Sequence, residues 1–97
     1  MVRVKRRGSN LRYHEILGLP VRVVSSIDPG IEGVEGMVVN ETMKTIEIRV
    51  GGREVVTFKS GTRYRFKIPE TGEVVDIDGD MLLGRPEDRV RMVLKKR

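Results

Sequence analysis

The reactive side chains of this 97-residue chain are one-sided: nineteen Lys and Arg, one His and no Cys. Arg3, Lys5, Arg6, Arg7 and Arg12 crowd the first twelve residues with no acid among them, a local charge of +5. Arg85, Arg89, Arg91, Lys95, Lys96 and Arg97 crowd residues 85–97 against Glu87 and Asp88, a local charge of +4. The middle, residues 13–84, sums to −4. Within it Arg63, Arg65 and Lys67 alternate with Tyr64 and Phe66. On an extended strand such alternate residues share one face at about 6.5–7 Å spacing, close to the phosphate repeat of an extended nucleic-acid backbone. Cations in these arrangements bind polyanions: they neutralise phosphates and release counterions. The opposing reading of the stripe is a solvated outer face with Glu73 and Asp76 as cross-strand partners. Tyr64 and Phe66 would face the core, so base stacking is not implied.

Catalytic chemistry is not signalled. His14 stands alone: one His without Cys cannot assemble a zinc site unaided, and no nucleophile–base pair with a histidine base is signalled. Its plain reading is a polar position on a helix. Asp76, Asp78 and Asp80 alternate like calcium ligands, but no Glu follows at the spacing of an EF-hand loop, so they read as solvated turn carboxylates. The glycine-rich stretches lack the Lys-Ser/Thr ending of a phosphate loop. No metal site and no cofactor is expected in this chain.

The elements that carry these residues follow from periodicity. Ninety-seven residues make one domain with a thin core. Aromatics are 4% of the chain, so Val, Ile and Leu must fill that core. Residues 1–8 have too little apolar content to fold and read as a disordered basic arm. Residues 9–97 form the domain. Ser9 or Asn10 caps a short helix holding Leu11, Tyr13, Ile16 and Leu17, closed by Gly18. From Val21 the period becomes two. Strands are expected at 21–24, 33–39, 45–50, 53–58, 63–68 and 73–78, with glycines at 33 and 36 suggesting a bend or bulge. Gly51-Gly52 is a hairpin signal. Five or six short strands with tight turns predict a small closed antiparallel barrel over about residues 20–83. Pro86, Glu87 and Asp88 then open a helix over about 86–96, whose stripe Val90, Val93 and Leu94 would lie on the barrel.

Zero Cys suits a reducing, intracellular setting, and a cytoplasmic location is expected. No apolar run approaches a membrane span, and no signal peptide is expected. A pI near 10 favours nucleic acid over a membrane surface as partner.

Several blocks together resemble archaeal ribonuclease P protein component 1, a relative of the eukaryotic Pop4 subunit. They are His14-Glu15-Ile16-Leu17-Gly18-Leu19-Pro20-Val21-Arg22-Val23-Val24, Asp28-Pro29, and Gly33-Val34-Glu35-Gly36-Met37-Val38-Val39-Asn40-Glu41-Thr42. Gly51-Gly52-Arg53-Glu54-Val55 and Ile77-Asp78-Gly79 follow, and Gly84-Arg85-Pro86-Glu87-Asp88-Arg89 is the most specific. The resemblance covers about residues 11–91. It implies an Sm-like or SH3-like barrel with flanking helices. It implies a subunit of the ribonucleoprotein that removes the 5′ leader of precursor tRNA, with Mg2+ and catalysis belonging to the RNA. It implies contact with ribonuclease P RNA, with precursor tRNA inside the complex, and with a zinc-binding protein subunit. That subunit would meet Leu11, Tyr13, Ile16, Leu17, Met37 and Val39. Two other classes remain open on the residues alone: an SH3-like ribosomal or translation-associated RNA-binding module, and a self-assembling Sm-like ring.

Overall fold

The computed structural model describes residues 16–84. The basic arm at 1–8, the helix expected between residue 9 and Gly18 apart from its last residues, His14 and the helix expected at 86–96 lie outside the described residues.

Six antiparallel strands form one sheet: β1 (Pro20–Ser26), β2 (Glu35–Glu41), β3 (Thr45–Val50), β4 (Arg53–Phe58), β5 (Thr62–Lys67) and β6 (Val74–Asp78). Their order is β4-β3-β2-β1-β5-β6. The β3–β4 hairpin turns at Gly51-Gly52 with Val50 opposite Arg53, as the sequence predicts. Alternation places Ile46 and Ile48 of β3, Tyr64 and Phe66 of β5 and Ile77 of β6 in the core, with Leu19, Val21, Val23, Val38, Ile68 and Leu82.

The chain forces this sheet to curl. β4 and β5 are joined by only residues 59–61, which let Phe58 and Thr62 lie at most about 14 Å apart. Yet β4 and β5 are four places apart in the ladder, about 19 Å in a flat sheet. The register shifts in two places, at Val23–Ser25 between β1 and β5 and at Val38–Asn40 between β2 and β3. Such bulges bend a strand and sharpen its twist. The bend in β2 thus sits at Val39 rather than at Gly33 or Gly36.

The expected closed barrel is corrected here: the sheet curls but its ladder does not close, and β4 and β6 remain its two edges. Thr57 and Tyr64 tie β4 to β5 where the curl brings them together. Thr57 Oγ1 on β4 donates to the Ile46 carbonyl at 2.8 Å and lies 2.7 Å from the Tyr64 hydroxyl on β5. With the threonine proton used, Tyr64 is the donor in that contact; the Phe58 carbonyl lies 3.3 Å from the same hydroxyl. Burial raises the Tyr64 pKa above its usual value, partly offset by side-chain hydrogen bonds to Thr57 and Thr62, so the phenol keeps its proton. Helical structure among the described residues is confined to two 3-10 turns, Pro29–Ile31 and Gly79–Leu82. The first is capped by Asp28, whose Oδ1 accepts from the Gly30 N–H at 2.9 Å.

Candidate nucleic-acid interface

Arg63, Arg65 and Lys67 share the outer face of β5 and all are exposed. Cross-strand register then decides their surroundings. Arg63 stands opposite Asp78, Arg65 opposite Asp76 and Lys67 opposite Val74. Arg65 grips Asp76 with two bonds, Nε to Oδ1 at 2.7 Å and Nη2 to Oδ2 at 3.1 Å. Arg63 Nη1 reaches Asp78 Oδ1 at 2.7 Å. The carboxylates of Asp76 and Asp78 are therefore engaged by guanidinium groups: Asp76 is the cross-strand partner that the sequence suggests, and Asp78 is a second. A guanidinium has five N–H donors, so Arg65 keeps three beyond those given to Asp76.

One further cation belongs to this face, and sequence reasoning missed it. Arg22 of β1 lies between Glu35 of β2 and Arg65 of β5. A row Glu35–Arg22–Arg65–Asp76 thus crosses four strands, with two like charges side by side at its centre and an acid at each end. Arg22 and Lys67 form no ion pair among the described residues. Periodicity puts Arg22 on the outer face but cannot reveal its neighbour, because pairing of β1 with β5 joins residues far apart in sequence, such as Arg22 and Arg65.

Hydrogen bonding to Arg65 holds the Asp76 carboxyl below the usual aspartate range; attraction to Arg65 and Arg63 adds to this, while slight desolvation opposes it. A depressed folded pKa means that the pair stabilises the fold above the ordinary aspartate pKa and is lost as pH falls through the lowered value. The pair is exposed, so its contribution is small. A carboxyl titration followed by NMR should show Asp76 ionising below an ordinary aspartate. A midpoint at or above the ordinary value would remove the pair from the solution structure.

The candidate partner surface is divided. Leu17 and Met37 are exposed, Met37 at 49%, and Val39 is half-buried at the bulge. Ile16 is completely buried and serves the core, so the structure places it away from that surface. Leu11 and Tyr13 lie outside the described residues, as do Arg3, Lys5, Arg6, Arg7, Arg12, Arg85, Arg89, Arg91, Lys95 and Lys96.

Residues 16–84 carry a formal −3, so the rest of the chain carries +8. No cluster of three or more His, Cys, Asp or Glu among the described residues is arranged to hold a metal. No described helix is long and apolar enough to cross a membrane.

Fold and charge together define, among the described residues, a small mainly-β module that carries a net −3 in a chain whose remaining residues carry +8. The family described as ribonuclease P/MRP, subunit p29, matches residues 9–92. Ribonuclease P protein component 1 of Desulfurococcus amylolyticus is 45% identical over 85 residues, 87% of this chain and 91% of that protein. Its counterpart in Methanothermobacter thermautotrophicus is 40% identical, over 90% of this chain and 94% of that protein. The solved structure of Mth11, described as a homologue of human RNase P protein Rpp29, superposes with a TM-score of 0.59 at 43% identity. It covers 78% of this chain and 97% of Mth11. The chain belongs to this family of ribonuclease P protein subunits, which selects that reading over the ribosomal module and the ring.

Proposed function

We propose that the chain is the non-catalytic RNA-binding subunit of ribonuclease P, supporting RNA folding and substrate recognition while the RNA subunit and its Mg2+ cut precursor tRNA. The observation that carries this reading is the division of charge: a −3 sheet body with +8 in the flanking residues. Affinity then comes from Arg3, Lys5, Arg6, Arg7 and Arg12 at one end and from Arg85, Arg89, Arg91, Lys95 and Lys96 at the other. Arg63, Arg65 and Lys67, with Arg22 beside them, join the two ends across the sheet. Such contacts follow RNA backbone and shape rather than base edges.

A zinc-binding protein subunit would pair through the N-terminal region and β2, where exposed Leu17 and Met37 support the reading and buried Ile16 does not contribute. Kinship with the eukaryotic Pop4 subunit and a cytoplasmic location belong to the same reading. Adding the protein with its partner subunit to the cognate RNA should lower the Mg2+ needed for precursor-tRNA cleavage. An unchanged Mg2+ requirement with correctly folded components would sink the proposal.

A further inference from the structure

Lys59 is an anomaly in a chain whose other described cations are exposed. Its side chain is completely buried, as is that of Glu41, and the two form a 2.7 Å ion pair. Around the same ammonium stand the carbonyl oxygens of Leu82 at 2.7 Å, Thr42 at 2.8 Å, Gly84 at 3.1 Å and Met43 at 3.3 Å. An ammonium has three hydrogens, so it is surrounded by more acceptors than it has donors. The acceptors come from two places: the end of β2 with its following turn, and residues 82 and 84. A backbone bond fastens the same junction, from the Gly84 N–H to the Met43 carbonyl at 3.0 Å.

Stability alone is a poor reason for this arrangement. A buried ion pair is often matched or bettered by apolar side chains of similar volume, because both ions must be stripped of water. What an ammonium does and a methionine cannot is hold particular oxygens at particular places. The oxygens held include those of Leu82 and Gly84, the last residues before the basic segment 85–97.

We infer that Lys59 is a positioning residue for RNA binding: it anchors residues 82–84 to the β2–β3 turn, so that the chain that goes on to Arg85, Arg89 and Arg91 leaves the sheet at a fixed point. This rests on the proposed RNA contact of that segment. Anchoring the root in advance lowers the ordering cost of binding. It also couples the sheet, which is anionic, to a segment whose charge has the opposite sign.

The test uses the full-length chain and its cognate ribonuclease P RNA, with affinity measured across a salt series. Lys59→Met should weaken binding by about three- to tenfold, the cost of a root no longer preorganised. It should also flatten the salt dependence. The triple variant Arg85→Ala, Arg89→Ala, Arg91→Ala should flatten it further, and adding Lys59→Met to the triple variant should change little more. In Lys59→Met the Gly84 amide should exchange with solvent faster while amides of the β1–β5 ladder keep their protection. A purely structural lysine would leave the salt slope alone.

Unchanged affinity in Lys59→Met beside a weakened triple variant overturns the positioning role by itself. Unchanged affinity in the triple variant overturns the RNA contact of residues 85–97, and the positioning role with it. If Lys59→Met fails to fold, Gly84→Ala carries the same expectations. The φ of Gly84 is +104°, which a side chain strains, so this change disturbs the root while leaving both side chains of the buried pair in place.

Discussion

Replacing Arg3, Lys5, Arg6 and Arg7 with alanine is expected to flatten the salt dependence of RNA binding by about three in the log–log slope. The figure follows from four phosphate contacts at about 0.7–0.9 each. Affinity at low salt should fall most, because counterion release is worth most there. The described core is built from residues 16–82, so thermal stability should stay close to that of the parent chain. Nitrocellulose or fluorescence binding from low to moderate salt reads both quantities. An unchanged slope would mean that this end of the chain never meets the RNA, and the charge division would then have to serve something else.

Gly79→Ala should act on the other half of the molecule. A Cβ on Gly79 would lie 1.8 Å from the Lys59 carbonyl oxygen and 2.8 Å from that of Thr62. Both obstacles are backbone, so no side-chain rotation relieves them. The start of the second 3-10 turn must move away from the residues that follow β4, where the curled sheet nearly meets itself. Overpacking of this kind costs about 3 kcal/mol. In a domain of this size that lowers Tm by roughly 12–24 °C. Gly52→Ala is the control, since a Cβ added there would meet nothing within 4 Å, and calorimetry compares the two. A Gly79→Ala protein melting within about 2 °C of the parent would show that the two segments do not touch in solution.

Much of the sheet is legible because period-two alternation survives wherever one face is buried. Thr45–Val50 and Arg53–Phe58 fall where the sequence places them, and Tyr64 and Phe66 point inward as expected. Closure is not legible. It depends on whether the first and last strands of the ladder share hydrogen bonds, and no residue pattern within β4 or β6 records that. Lys59 reads as a turn residue when its type outweighs its place. Val55, Thr57 and Lys59 continue one inward-facing row of alternating positions, and that row is the signal that marks it.

The basic stripe is legible as a face and illegible as chemistry. Alternation puts Arg63, Arg65 and Lys67 together, but only register sets Asp78 and Asp76 opposite two of them and leaves Lys67 facing Val74. Arg22 joins them by the same long-range pairing. Local sequence therefore identifies which residues share a side of a strand. It does not identify what stands across from them.

The sign of the sheet's charge has a consequence for how the chain can change. A folded body at −3 is repelled by RNA, and flanking residues at +8 are drawn to it. Folding and most of the proposed binding thus draw on separate sets of residues, the outer-face row of Arg22, Arg63, Arg65 and Lys67 being the exception. The flanks can trade, gain or lose cations to suit a different RNA without touching the core. The core can drift in sequence without altering the charge that the RNA meets. If the buried ammonium of Lys59 holds the threshold between the two regions, a substitution at Lys59 or Glu41 disturbs both at once.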